Sequence, residues 1–175
     1  MKKLLTPKNI GFVVLAIVVA YSAVFFAPQK KYDVVRVIDG DTIVIDDGGE
    51  EQSVRLLGID APEVRPQTEC FAEEGGTALF ERIGGEKVRL VFDESQNMQD
   101  IYGRVLALVY LPDGTLLNEY MVQEGYAVEY TYITPHAHQT DFREIEADAR
   151  SHARGLWGAC HDNLPYCARG VSCSF

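Results

Sequence analysis

Three short runs rich in β-branched residues follow one another with very little between them, and this spacing limits the fold more than any other feature. Tyr32 to Ile38 carries Val34, Val35, Val37 and Ile38, Thr42 to Asp46 reads Thr-Ile-Val-Ile-Asp, and Ser53 to Leu57 resumes after Asp47-Gly48-Gly49. Strands this short and this close pair as hairpins, whose turn glycines accept positive φ. Next comes Gly58-Ile59-Asp60-Ala61-Pro62-Glu63, where Pro62 ends any ladder, and Val64 to Thr68, with Pro66, reads as loop.

The remaining segments complete a pattern. Phe71 to Ile83 has helical spacing, with Phe71, Leu79, Phe80 and Ile83 as its apolar members, although Gly75-Gly76 weakens the first half. Lys87 to Phe92 alternates Val88, Leu90 and Phe92 inward as a half-buried strand does. Val105 to Leu111 is a further strand, Leu116 to Glu124 a short helix, and His138 to Ala153 a last helix with Phe142, Ile145 and Ala149 on one face. Five short strands with a helix between the third and fourth predict an α+β chain: a five-stranded OB-type Greek-key β-barrel with about three helices. Such barrels offer one open face to oligonucleotides or oligosaccharides.

Ahead of the barrel, Ile10 to Ala27 is a mostly apolar run of eighteen residues, preceded by Lys2, Lys3 and Lys8 and followed by Lys30 and Lys31. Crossing ~30 Å of hydrocarbon takes ~20 helical residues, so this run sits at the lower edge of a membrane span. The expected organisation is a basic cytoplasmic N-terminus over 1–9, a transmembrane signal-anchor over 10–27, the barrel domain over 32–159 and a cysteine-containing tail over 160–175. A cleaved signal peptide ending near Val18-Val19-Ala20 is the rival reading, and both export the remainder. The expected location is therefore the cell membrane, single-pass with the barrel outside the cytoplasm, or secretion after cleavage.

Four cysteines agree with export: Cys70, Cys160, Cys167 and Cys173. The favoured pairing is Cys70 with Cys160 and Cys167 with Cys173. Free thiols, or zinc held with His161, are the alternatives, the zinc reading lacking any C-x-x-C pair. Charge argues against a broad nucleic-acid-binding surface. From residue 31 onward there are 12 Lys and Arg against 26 Asp and Glu, a formal charge of −14. Phosphate recognition must then come from a few placed arginines and a cation.

Three segments concentrate such groups: Val37 to Ile45 with Asp39 and Asp41, Arg55 to Glu63 with Asp60, and Asp100 to Arg104 with Tyr102. Carboxylate and carbonyl oxygens suit a hard cation such as calcium. Arginines grip a phosphodiester through paired N–H donors. A further carboxylate can deprotonate water, and cation and arginines can stabilise the charge that develops on phosphorus. That inventory suffices for phosphodiester hydrolysis without a histidine or serine nucleophile.

With Tyr126-Ala-Val-Glu-Tyr-Thr-Tyr132 and Gly155-Leu-Trp157 following in order, the chain resembles the thermonuclease (staphylococcal nuclease-like) family over about residues 32 to 158. The resemblance implies a calcium-dependent endonuclease that hydrolyses DNA and RNA to 3′-phosphates. It implies Asp41, Asp60 and the carbonyl of Ala61 as calcium ligands, with Asp39 nearby. Glu63 is implied as general base, Arg55 and Arg104 as catalytic arginines, and Tyr102, Tyr130 and Tyr132 as substrate contacts. The sequence departs in three ways: Ala61 stands where a threonine is usual, Ile101 where a lysine is frequent, and the surface is acidic.

Bland readings compete residue by residue. Asp39 and Asp41 alone could form a turn, the arginines could be salt-bridge partners, and the tyrosines could simply pack. Trp157 is expected in the core, and His136, His138, His152 and His161 at the surface. Asp46-Asp47 and Glu50-Glu51 are expected at a solvated hairpin tip. A catalytically inactive nucleic-acid- or protein-binding module is the alternative function, because fold alone does not establish catalysis. Asp41, Arg55, Asp60, Glu63 and Arg104 are all chemically competent, which favours an enzyme, expected to be a monomer.

Overall fold

The computed structural model describes residues 29–64, 67–160 and 164. The apolar run over 10–27, together with His161, Cys167 and Cys173, lies outside them. Among the described residues no helix is long and apolar enough to cross a membrane.

Strands β1 (Asp33–Val37), β2 (Thr42–Asp46) and β3 (Glu51–Leu56) form the expected antiparallel meander, and its register pairs Val37 with Ile43 and Thr42 with Arg55. The β2–β3 tip closes through the Asp47 amide on the Glu50 carbonyl at 2.8 Å, with Gly48 and Gly49 at positive φ. Two residues pair next: β4 (Ile59–Asp60) lies antiparallel to β7 (Val128–Glu129). Neither is predicted as a strand from the sequence, since two residues carry no periodicity. Strands β5 (Arg89–Val91) and β6 (Val105–Tyr110) complete a five-stranded sheet of order β1-β2-β3-β6-β5, in which β3 and β6 run parallel. Tyr32 and Val88 exchange amide–carbonyl hydrogen bonds of 2.8 and 2.9 Å, so the sheet curls until its first and last strands touch.

Inside the curl, Ile43, Ile45, Val54, Leu56, Val88, Ala107 and Val109 are at most 1 % exposed. Fully burying one branched aliphatic side chain contributes about 1.5–3 kcal/mol, so these inward residues dominate stability. The inward alternation expected for β5 holds fully only at Val88. Leu90 is half-buried and Phe92 is 41 % exposed.

Helix α1 (Ala72–Ile83) continues through Gly75 and Gly76, which the sequence had made doubtful. A Cβ on Gly76 would lie 3.6 Å from the Asp39 Cα, and one on Gly75 3.7 Å from the Gly40 Cα. The pair lets the β1–β2 loop lie against helix backbone, a gain from packing that outweighs weak helix propensity. Ala72, Leu79 and Ile83 face the core, whereas Phe80 is 65 % exposed and leaves the expected stripe. Helix α2 (Leu117–Gln123) buries Leu117, Met121 and Val122, and α3 (Gln139–Ser151) buries Phe142 and Ala149. The short α4 (Leu156–Ala159) joins Val128 and Cys160 in a second apolar cluster. Trp157 packs half-buried on that cluster, with the Arg150 guanidinium 4.2 Å from its ring.

Of the expected pairings, Cys70 and Cys160 form a disulfide. His136 corrects the surface reading of the histidines. It is 6 % exposed and lies against Phe142, in space that the missing Cβ of Gly58 leaves free.

Candidate active site

The loop between β1 and β2 brings Asp39 and Asp41 to the mouth of the curl. It can lie there because Gly40 has no side chain: a Cβ would fall 2.8 Å from that of Ala61. Asp41 is 3 % exposed and fully engaged. One carboxylate oxygen accepts the Thr42 hydroxyl at 2.9 Å; the other accepts the Ala61 amide at 2.6 Å and the Arg55 Nη1 at 2.8 Å. Asp39 turns back to accept the Asp41 amide at 3.0 Å.

Arg55 links this loop to the next. Its Nη2 donates to Asp60 at 2.6 Å and its Nη1 to the Ile59 carbonyl at 2.8 Å, while its side chain is 12 % exposed. One guanidinium thus bridges Asp41 on β2's leading edge and Asp60 on β4. The pairing of Thr42 with Arg55, and of Asp60 with Val128, fixes these positions through strand register. Burial works against the charge of Arg55, but Asp41, Asp60, Asp39 and Glu63 together raise its pKa above the ordinary value. The acids feel the crowding in return. Burial and the neighbouring Asp41 push Asp39 up to about 7. Burial and Asp41 also raise Glu63, with Glu69 adding to the effect and Arg55 and Arg104 opposing it. Glu63 therefore lies within electrostatic reach of both arginines.

Arg104 is held differently. It closes a turn in which the Asp100 carboxylate accepts the amides of Tyr102 and Arg104 at 2.9 and 3.0 Å and the Arg104 Nε at 2.6 Å. These bonds from Arg104 hold the Asp100 carboxyl below its usual range despite its partial burial. Val105 pairs with Val54 in the parallel β3–β6 ladder. Arg104 accordingly stands one step earlier, opposite Ser53 and on the same sheet face as Arg55, by the period of two. Tyr102 is 72 % exposed beneath the Arg104 guanidinium, 5.4 Å from ring to Cζ. Tyr130 and Tyr132 lie beyond β7 with rings 6.3 Å apart, and the Tyr130 amide donates to the Gly58 carbonyl at 3.0 Å. The tyrosines thus fall into two groups, Tyr102 on the Arg104 side and the other two on the Asp60 side.

Several holding residues carry no role in the sequence reading. Asp100 had a local signal, since an acid four residues before an arginine can reach it across a tight turn. Asn118 had none. It is fully buried, accepts the Val109 amide at 2.9 Å, and donates to the carbonyls of Leu57 and Ala107 at 2.8 and 3.2 Å. It thereby ties α2 to the end of β3, just before the Gly58 corner that aims Asp60.

The donor set fits a hard cation. Arg55 pairs with Asp41 and Asp60, while burial and the neighbouring charge of Asp41 push Asp39 up to about 7, so added positive charge would be favourable beside it. Among the described residues no three His, Cys, Asp or Glu side chains form a ready metal cage. A cation here would rest on two carboxylates, a backbone carbonyl and water, a combination usual for calcium.

The family model described as Staphylococcal nuclease homologue matches residues 53–159. The chain is 34 % identical over 134 residues to a thermonuclease of Staphylococcus hyicus, covering 75 % of this chain and 78 % of the relative. It is 33 % identical over 131 residues to a thermonuclease of Staphylococcus intermedius, covering 73 % and 76 %. Endonuclease YncB of Bacillus subtilis is 35 % identical over 126 residues, covering 70 % of this chain and 59 % of the relative.

Proposed function

The chain belongs to the staphylococcal nuclease family, and on that premise we propose that it is a calcium-dependent nuclease hydrolysing DNA and RNA to 3′-phosphate products outside the cytoplasm. The observation that carries the reading is the Arg55 bridge between Asp41 and Asp60, with Glu63 in the field of both arginines. Asp41, Asp60 and the Ala61 carbonyl would hold the cation, which supplies Lewis-acid neutralisation of phosphoryl charge when bound. Arg55 and Arg104 donate to the non-bridging phosphate oxygens. The guanidinium of Arg55 has five N–H donors, so it can keep its carboxylates and still reach substrate. Glu63 takes a proton from water as the oxygen attacks phosphorus; the P–O5′ bond breaks, the leaving 5′ oxygen takes up a proton from solvent to become a hydroxyl, and the phosphate stays on the 3′ side. Tyr102, Tyr130 and Tyr132 offer ring faces to the nucleotides. Burial and Asp41 raise the pKa of Glu63, which makes its carboxylate a stronger base than an ordinary glutamate.

Export is supported by the Cys70–Cys160 disulfide, since such bonds persist in oxidising compartments. The apolar run over 10–27 would act as the membrane anchor. All five charged groups that hydrolysis needs are present, which favours catalysis over a binding module. The test is degradation of a plasmid and of an unstructured RNA by the full chain, in calcium and then in excess chelator. Cleavage to 3′-phosphate ends in calcium and none in chelator is expected. Undiminished cleavage in chelator, or no cleavage in calcium, would overturn the proposal.

A further inference from the structure

Glu63 stands just past the last residue of β4, beyond Pro62, so no strand ladder holds its backbone. One residue does. The Glu63 amide donates to the Glu69 carboxylate at 3.0 Å, and the Glu69 amide donates to the Glu63 carbonyl at 2.8 Å. Both main-chain groups of the expected base are therefore spent on Glu69. The next residue is Cys70, covalently bonded to Cys160. Cys160 is 3 % exposed and packed with Val128 and Leu156, and Val128 is the strand partner of Asp60. A closed circuit results. It runs from Asp60 across β4–β7 to Val128, through the apolar cluster to Cys160, over the disulfide to Cys70, and back through Glu69 to Glu63. The sulfur link fixes the residue next to Glu69, whose carbonyl also accepts the Ala72 amide at 3.3 Å at the start of α1.

Resting on the reading of Glu63 as the base, we propose that Glu69 is a positioning residue for Glu63 and that the Cys70–Cys160 disulfide fixes Glu69. The base is then set in the oxidised chain and slack in the reduced one. Reduction by a dithiol would convert the bridge to two cysteine thiols while the dithiol becomes a disulfide, so the step balances. An enzyme retained in, or returned to, a reducing compartment would lose turnover without losing its cation or phosphate ligands.

The test is a mutant cycle on the full chain. Glu69→Ala, Glu69→Gln and the double variant Cys70→Ser/Cys160→Ser are each made in the parent and in the Glu63→Gln background. The measurements are kcat, KM, the calcium midpoint and Tm. Misplacing a reacting group by about 1 Å can cost on the order of 10²-fold, so Glu69→Ala should lower kcat at least about tenfold. KM and the calcium midpoint should stay within about twofold, because the groups that bind phosphate and cation are untouched. Glu69→Gln keeps an acceptor oxygen and should recover most of the rate. The cysteine variant should match Glu69→Ala in kcat. In the Glu63→Gln background neither change should cost more than about twofold, since residues acting as one unit are non-additive. Equal losses in both backgrounds would overturn the positioning role, and so would a Glu69→Ala enzyme with parental kcat. If Glu63→Gln itself kept full activity, the base assignment would fall and this inference with it, an outcome the cycle separates from the other two. Should the cysteine variant not fold, the Glu69 pair decides alone.

Discussion

Arg55 and Arg104 are proposed to grip the same phosphate, yet the protein holds them in contrasting ways. The Arg55 side chain is 12 % exposed and joins the buried Asp41, the partly buried Asp60 and the Ile59 carbonyl, partners from two segments. Arg104 is 32 % exposed and answers to a single acid, Asp100, four residues earlier in its own turn. One arginine is part of the barrel's closure; the other is mounted on a loop. The contrast means that identical side chains in one site should fail differently when removed. Breaking a buried pair leaves an uncompensated charge, whereas an exposed pair contributes little.

The largest expected effect separates them directly. Arg104→Ala should slow cleavage by roughly 10²–10³, as removal of a preorganised donor does, with the urea midpoint almost unmoved. Arg55→Ala should slow cleavage at least as much and also cost about 3–5 kcal/mol of stability, read from urea unfolding without calcium, because Asp41 and Asp60 lose their counter-charge. Equal midpoints for the two variants would break the comparison. Arg104→Lys sharpens it: an ammonium cannot reproduce the planar fork, so activity should remain severely impaired in a stable protein.

A covalent anchor can be set beside the electrostatic one. Removing the Cys70–Cys160 bridge should cost about 2–5 kcal/mol, most of it, in the entropic account, through a less restricted unfolded chain. That loss should not simply add to the loss at Arg55, since both constraints meet at β4–β7, where Asp60 pairs with Arg55 and its strand partner Val128 packs on Cys160.

The two sides should also show pH signatures of opposite sign, since Asp39 beside Arg55 is raised and Asp100 beside Arg104 is lowered. In the folded chain Asp39 sits at about 7 against an ordinary 3.8. Its protonated form therefore favours the fold fully below the ordinary value, and that contribution is lost as pH rises through about 7. Without calcium, Tm should decline between about pH 4 and pH 8, and Asp39→Asn should flatten that part of the curve. Added calcium should raise Tm most at the alkaline end, where Asp39 is ionised in a buried place beside Asp41. A Tm profile identical in Asp39→Asn and parent would remove that crowding from the account.

Much of this was legible in the sequence, and the reasons for what was not are specific. The long strands show themselves because β-branched residues crowd into runs of five, as at Val34 to Ile38 and Thr42 to Asp46. Strands β4 and β7 have two residues each and no period to read. Gly75 and Gly76 argue against a helix locally, and only the approach of the Asp39–Gly40 backbone explains them. His136 looks like a surface residue until Gly58, 78 positions earlier in the chain, is seen to make room for it. The charged residues proposed for the site stand out in the sequence because each lies in a compact segment at a strand end. Their holders Asn118 and Glu69 were not, since their partners are chosen by the fold and not by neighbours in sequence.

The smallest effect concerns salt. With a formal charge of −10, the chain has no broad field to draw a polyanion, so contact should be confined to Arg55, Arg104 and the cation. If roughly two phosphates are neutralised on a single strand, the salt slope of log K should be near −1.4, and binding should weaken only about sevenfold between ~50 and ~200 mM salt. A slope steeper than about −4 would reveal an extended basic track, and a slope near zero would take both arginines off the phosphate.

The most direct test of the central claim is Glu63→Gln, measured for turnover and for calcium binding in one preparation. The substitution keeps shape and removes the base. Turnover should fall roughly 10²–10⁴-fold, by analogy with the loss of general bases elsewhere, while calcium and oligonucleotide still bind through Asp41, Asp60, Arg55 and Arg104. A variant cleaving within about threefold of the parent would contradict the account, because the one carboxylate it leaves free for water would then not be needed.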